Sequence, residues 1–221
     1  MERRTLIKGL AAGAVVLGGG AAVALSWLNR KFNPRTPLEY AFPPASAATG
    51  ELTPTPACES PQSPTLRQTE GPFYTPETPE RMSLREVGVA GDPLVLEGQV
   101  VDTACRPIVG AVVDIWSCDG NGDYDNKGFR LRGHQFTDAQ GRFRFETVRP
   151  VAYKAGFVMR TPHLHVKVQG RDTPMLTTQI YFPDEALNER DSIYDDALLV
   201  AMDESGGHPT AMYRFVLARN G

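Results

Sequence analysis

The chain has 221 residues, 41% of them hydrophobic and 22% charged, which suffices for one well-buried core and falls short of two full enzyme domains. A formal net charge of -3 leaves no basic excess. It excludes an electrostatic footprint for nucleic acid and makes a small molecule the expected partner.

Residues 1–28 read as an export address. Glu2-Arg3-Arg4-Thr5-Leu6-Ile7-Lys8 is a twin-arginine motif, followed by an uncharged run from Gly9 to Leu28. Ala22-Val23-Ala24 offers a small-residue cleavage site, yet the apolar run approaches the ~20 residues of a membrane span, so an uncleaved N-terminal anchor stays open. The expected location is the periplasm. Residues 29–65 are rich in Pro, Ala, Thr and Ser without a hydrophobic period and read as a flexible linker. Three cysteines in an exported chain allow one disulfide. Cys105 and Cys118 flank one predicted strand, which holds them too far apart to bridge, so the expected pair joins Cys58 to one or the other, against the alternative of three free thiols.

The remaining segment, 66–221, is expected to be all-β, an antiparallel β-sandwich with long loops. Short runs of two-residue alternation, punctuated by Gly, Pro, Asp and Asn, cover Leu94 to Val101, Ala111 to Ser117, Arg142 to Thr147, His163 to Val168, Thr177 to Phe182 and Tyr213 to Ala218. In the third run Phe143 and Phe145 share one face and Arg142 and Arg144 the other, as a half-buried strand requires. The sequence between these runs predicts no helix of useful length.

The sharpest chemical signal is Pro162-His163-Leu164-His165-Val166, because histidines two apart on a strand point into one space. Leu164 and Val166 on the opposite face can supply the core contacts. Imidazole pairs suit Zn, Cu, Fe or Ni, against the plainer reading of a solvated or structural pair. The residues that would complete a metal site are tyrosines. Tyr124 ends the loop Asp119-Gly120-Asn121-Gly122-Asp123-Tyr124, and Tyr153 follows Arg149-Pro150. A phenol titrates near ~10, so tyrosinate at neutral pH calls for a strongly charged hard cation, and iron(III) fits best. Each tyrosine alone reads as an ordinary half-buried aromatic.

The alternating acids Asp119, Asn121, Asp123 and Asp125 resemble a calcium loop, but Tyr124 and Arg130 stand where that loop wants Gly and Glu, which favours a surface turn. Arg160, three residues before His163, could stabilise negative charge on a substrate; taken alone it reads as a surface salt bridge. Gln179 shares a strand face with Thr177 and Tyr181 and could hydrogen-bond a ligand or a loop. His134 and His208 have no partner at metal spacing and read as structural or exposed.

In order along the chain, these pieces resemble the intradiol ring-cleavage dioxygenases, the family of catechol and protocatechuate dioxygenases. The matching motifs are Thr69-Glu70-Gly71-Pro72-Phe73-Tyr74, then Gly110 to Trp116 leading to Gly122-Asp123-Tyr124, and Arg132-Gly133 before Thr137-Asp138. Arg149 to Tyr153, Arg160 to His165 and Thr178-Gln179-Ile180-Tyr181-Phe182 complete the set, and the resemblance is to the exported, single-domain branch. It implies iron(III), Fe(3+), held by Tyr124, Tyr153, His163 and His165, with Arg160 and Gln179 flanking the substrate and Tyr153 accepting a substrate proton. The implied reaction takes a catechol and O2 to a cis,cis-muconate type diacid without a reductant. The helical dimerisation region of larger catechol dioxygenases has no counterpart in the motifs, which leaves the oligomeric state open.

Two rival readings stand beside this one. Gly110-Ala111-Val112-Val113 with Thr137 to Phe143 also occurs in carboxypeptidase-regulatory-like and transthyretin-like binding modules, and fold alone would not separate them. A zinc hydrolase built on the two histidines lacks an obvious third ligand nearby.

Overall fold

Runs of Val, Leu, Ile and Phe alternating with polar residues can bury one face only by packing against a second sheet, and the computed structural model does this with two four-stranded sheets. It describes residues 62–220; the export segment, most of the linker and Cys58 lie outside the described residues. In chain order the strands are β1 (Pro93–Asp102), β2 (Val112–Trp116), β3 (Arg132–Phe136), β4 (Arg142–Val148), β5 (Tyr153–Ala155), β6 (Val158–Arg160), β7 (His163–Gln169), β8 (Leu176–Tyr181), β9 (Ala201–Asp203) and β10 (Thr210–Leu217). The helical content of the described residues is two 3₁₀ turns, Asn188–Arg190 and Asp196–Leu198.

One sheet runs β4-β1-β10-β9, the other β3-β2-β7-β8, and β5 and β6 form a separate hairpin. The core lies between the two larger sheets. Leu94, Leu96, Phe143, Phe145 and Phe215 from the first pack with Val113, Ile115, Leu164, Val166 and Ile180 from the second. Phe143 and Phe145 are core residues while Arg142 and Arg144 stay half-exposed, as the alternation demands.

All six predicted strands are present, and the β-sandwich is as expected. One pairing departs from antiparallel order: β1 runs parallel to β10, Val95 facing Thr210 through Asp102 facing Leu217. More than 100 residues separate these strands, so no hairpin turn imposes an antiparallel pairing on them. Cys105 is disulfide-bonded, and Cys118 is free and buried.

Candidate metal centre

The histidines lie on the outer face of the β3-β2-β7-β8 sheet, away from the inter-sheet core. On β7, Leu164, Val166 and Val168 fill the core, so His163, His165 and Lys167 must point the other way. Register then selects their neighbours: Trp116 on β2 and Gln179 on β8 both face His165, and Tyr181 faces His163. The indole of Trp116 stacks on the His165 ring, with centroids 4.9 Å apart and planes 7° from parallel.

Loops cover this face. Tyr124 comes from the β2–β3 connection and meets Tyr153, the first residue of β5, edge-on at 5.2 Å. Gly122, at φ +85, makes this approach feasible, since a Cβ there would come within 3.2 Å of Tyr153 Cβ. The segment 68–74 closes over the rings. Phe73 stacks on Tyr124 at 4.4 Å, Tyr74 packs on Trp116 at 4.7 Å, and Gly71 lies so near that a Cβ there would come within 3.2 Å of His165 Cε1. Lys167 ties the segment down, with Nζ 2.5 Å from Glu70 Oε2 and 4.5 Å over the Tyr74 ring.

The four sequence-predicted ligands therefore converge. His163 Nε2 lies 3.2 Å from His165 Nε2 and 3.5 Å from Tyr153 Oη. His163 Nδ1 lies 2.6 Å from the Thr161 carbonyl, which fixes its proton on Nδ1 and leaves Nε2 as a bare lone pair. Burial keeps both imidazoles neutral: it lowers His163 to about 3, aided by the nearby Arg160 charge, and pushes His165 well below its ordinary value. Burial also raises the phenols of Tyr124 and Tyr153. The Arg160 charge pulls both the other way without offsetting burial, so only a metal ion beside them would ionise these phenols at neutral pH.

This donor set fits a hard, highly charged cation that also accepts imidazole. Tyr124 Oη is buried and, beyond the neighbouring Tyr153 phenol, has no hydrogen-bond partner, a costly state for a hydroxyl that a metal bond would relieve. The Nε2 atoms of His163 and His165, 3.2 Å apart, are aimed at one place, as two imidazole ligands of a single cation would be. Among the described residues there is no cluster of three His, Cys, Asp or Glu side chains able to hold a metal, so a site here must use the phenols.

Arg160 is nearly buried rather than part of a surface salt bridge, because its guanidinium is held from two sides. Nε donates to Asp191 Oδ2 at 2.8 Å and Nη2 to Gln179 Oε1 at 2.6 Å. Gln179 is fully engaged as well, its Nε2 donating to the Thr69 carbonyl at 3.0 Å. Tyr181, whose hydroxyl donates to Gln68 Oε1 at 2.7 Å, packs against His163.

The acidic loop is a turn, as expected. Asp119 Oδ1 accepts from the backbone N–H groups of Asn121 and Asp123, and Asp125 from those of Lys127, Gly128 and Arg130. On β3, His134 Nδ1 lies 3.2 Å from Thr78 Oγ1, and His208 is exposed. Sequence reasoning missed Trp116, Phe73, Lys167 and Asp191. The first two sit inside matching motifs and the third is in phase with the histidines, but Asp191 carries no sequence signal.

Residues 69–218 match the family described as Dioxygenase. The chain is 32% identical over 174 residues to hydroxyquinol 1,2-dioxygenase of Rhodococcus opacus, covering 68% of this chain and 58% of that protein. It is 31% identical over 148 residues to catechol 1,2-dioxygenase of Candida albicans, covering 56% and 49%. The chain thus spans about half the length of these curated relatives. Among solved structures, the dioxygenase domain of a dioxygenase carbohydrate-binding protein fusion from Streptomyces sp. SirexAA-E superposes with a TM-score of 0.67 at 42% identity, covering 72% of this chain and all of that one.

Proposed function

We propose, from the premise that this chain belongs to the intradiol ring-cleavage dioxygenase family, that it opens a catechol-type ring between its two hydroxyl-bearing carbons. The co-substrate is molecular oxygen, and the product is a cis,cis-muconate type diacid. One observation carries the reading: Tyr124, Tyr153, His163 and His165 converge on one buried point beside the Arg160–Gln179 pair.

Tyr124, Tyr153, His163 and His165 would hold iron(III). When bound, iron(III) would supply Lewis-acid polarisation of a catecholate chelated through both oxygens and the electron-accepting power that lets a ring carbon meet oxygen. The rest of the work falls to the protein. Tyr153, ionised only where a bound cation has displaced its proton, would be the base whose Oη accepts a substrate proton. Trp116 and Phe73 hold His165 and Tyr124 in place and exclude water from the site. Arg160 presents fixed positive charge to the negative charge that develops on the ring. Gln179, engaged at both ends, orients Arg160 and the segment above it.

The location we propose is outside the cytoplasm. The twin-arginine motif at Arg3-Arg4 and the disulfide at Cys105 both support it.

Purified protein loaded with iron, supplied with catechol, hydroxyquinol or protocatechuate under isotopically labelled O2, should consume one O2 per ring and place both oxygen atoms in a diacid. Product carrying one labelled atom, or no uptake across the panel, would overturn the reading.

A further inference from the structure

We propose that Asp191 is the positioning residue of the Arg160 guanidinium, a role that rests on the ring-opening reading above. Asp191 lies just beyond the first 3₁₀ turn, 31 residues from Arg160, and its side chain is 1% exposed. A buried carboxylate is costly unless it is paired and hydrogen-bonded. Here one oxygen, Oδ2, accepts both from Arg160 Nε at 2.8 Å and from the Thr161 N–H at 3.0 Å. Asn188, from the same turn, accepts from Thr161 Oγ1 at 2.7 Å and anchors itself by donating to the Phe182 carbonyl at 2.9 Å.

The geometry gives these bonds a purpose. A guanidinium on a flexible stem rotates unless two of its edges are taken. Asp191 takes the Nε edge and Gln179 the Nη2 edge, so the plane is fixed and Nη1 is the nitrogen that neither anchor engages. Gln179 cannot do this alone, since a neutral amide oxygen supplies no countercharge to a cation this deeply buried. Asp191 thus stabilises the charge on Arg160 and fixes its direction.

The test is a double-mutant cycle in kcat and KM, using Arg160→Ala, Asp191→Asn and the pair together, with iron content and the visible tyrosinate band recorded for each. Asparagine keeps an oxygen that can serve the Thr161 N–H, so the support of His163 through the Thr161 carbonyl survives while the charge is lost. Asp191→Asn should lower kcat by about ten- to a hundredfold with iron and band retained. On the Arg160→Ala background the same change should cost less than about twofold. Equal losses on both backgrounds, an unchanged kcat, or loss of iron in Asp191→Asn would overturn the proposal. Should Asp191→Asn fail to fold, Asp191→Glu keeps the charge and shifts the carboxylate by one methylene; a tenfold loss of kcat supports positioning, and full kcat overturns it. A wild-type protein that binds iron and opens the ring while the cycle is additive sinks this inference alone, whereas an inactive, iron-free wild type sinks the ring-opening reading beneath it.

Discussion

Replacing Gly71 by alanine should damage the site by a route that can be separated from its effect on folding. Gly71 sits at φ +73, where an L-residue pays about 1–2 kcal/mol. Its new Cβ would stand 3.2 Å from His165 Cε1, closer than comfortable contact by a few tenths of an ångström. The His165 ring has no free direction of retreat, since Trp116 stacks against it at 4.9 Å and its Nε2 already lies 3.2 Å from His163. Displacing a ligand by such an amount should lower kcat/KM about tenfold and weaken iron retention. Gly88 provides the control, because it also has a positive φ, +86, but a Cβ there would meet nothing within 4 Å. Denaturant unfolding should therefore show similar losses of about 1–2 kcal/mol for Gly71→Ala and Gly88→Ala, with only Gly71→Ala losing activity and iron. Equal activity in the two variants would refute the contact argument, and a Gly71→Ala protein of unchanged stability would refute the backbone argument.

Other predictions concern the scaffold. Asp102 accepts from the N–H groups of Ala104 and Arg106 and from both Arg106 Nε and Arg219 Nε; burial acts to raise its pKa, but these bonds prevail and hold it at about 2. A carboxyl whose folded pKa lies below its unfolded one contributes stability above the unfolded value, which is lost as pH falls through the folded one. Asp102→Asn should thus cost about 1–2 kcal/mol at pH 7, given the screening on the exposed Arg106 side, and urea titrations should show the gap closing as pH falls from about 4 to about 2. A gap that does not vary with pH would contradict this. Phe145, fully buried between the sheets, should cost about 3–5 kcal/mol when truncated to alanine, read as a lower denaturant midpoint at unchanged slope. A loss below about 1 kcal/mol would mean that the core closes around the cavity.

The strands that carry the core were legible because their alternation is strong: Phe143 and Phe145 against Arg142 and Arg144, or Leu164 and Val166 against His163 and His165. Strand β3, with the sequence Arg-Gly-His-Gln-Phe, was not, because it is an edge strand whose last three residues are only half-buried and show no apolar face. The β5–β6 hairpin and β9 are three-residue strands, too short for a period to register. The parallel β1–β10 contact depends on the global path of the chain, which local patterning does not encode. At the site, the histidine pair was readable from strand periodicity alone, whereas the tyrosines gained meaning only from their place in a series of matching motifs. Arg160 in isolation looked like a surface charge. Its burial depends on Asp191, Gln179 and the fold that brings them together, none of which is adjacent in sequence.

The proposed iron(III) centre of Tyr124, Tyr153, His163 and His165 is tested most directly by the visible absorption spectrum of the purified protein together with its iron content, for the wild type, Tyr124→Phe and His163→Ala. We predict about one iron per chain, the stoichiometry of a single four-ligand site, and a tyrosinate-to-iron(III) charge-transfer band that shifts on anaerobic addition of catechol, weakens in Tyr124→Phe and vanishes with the iron in His163→Ala. Protein that stays colourless after anaerobic iron loading and reoxidation, or a band unchanged by both substitutions, would contradict it.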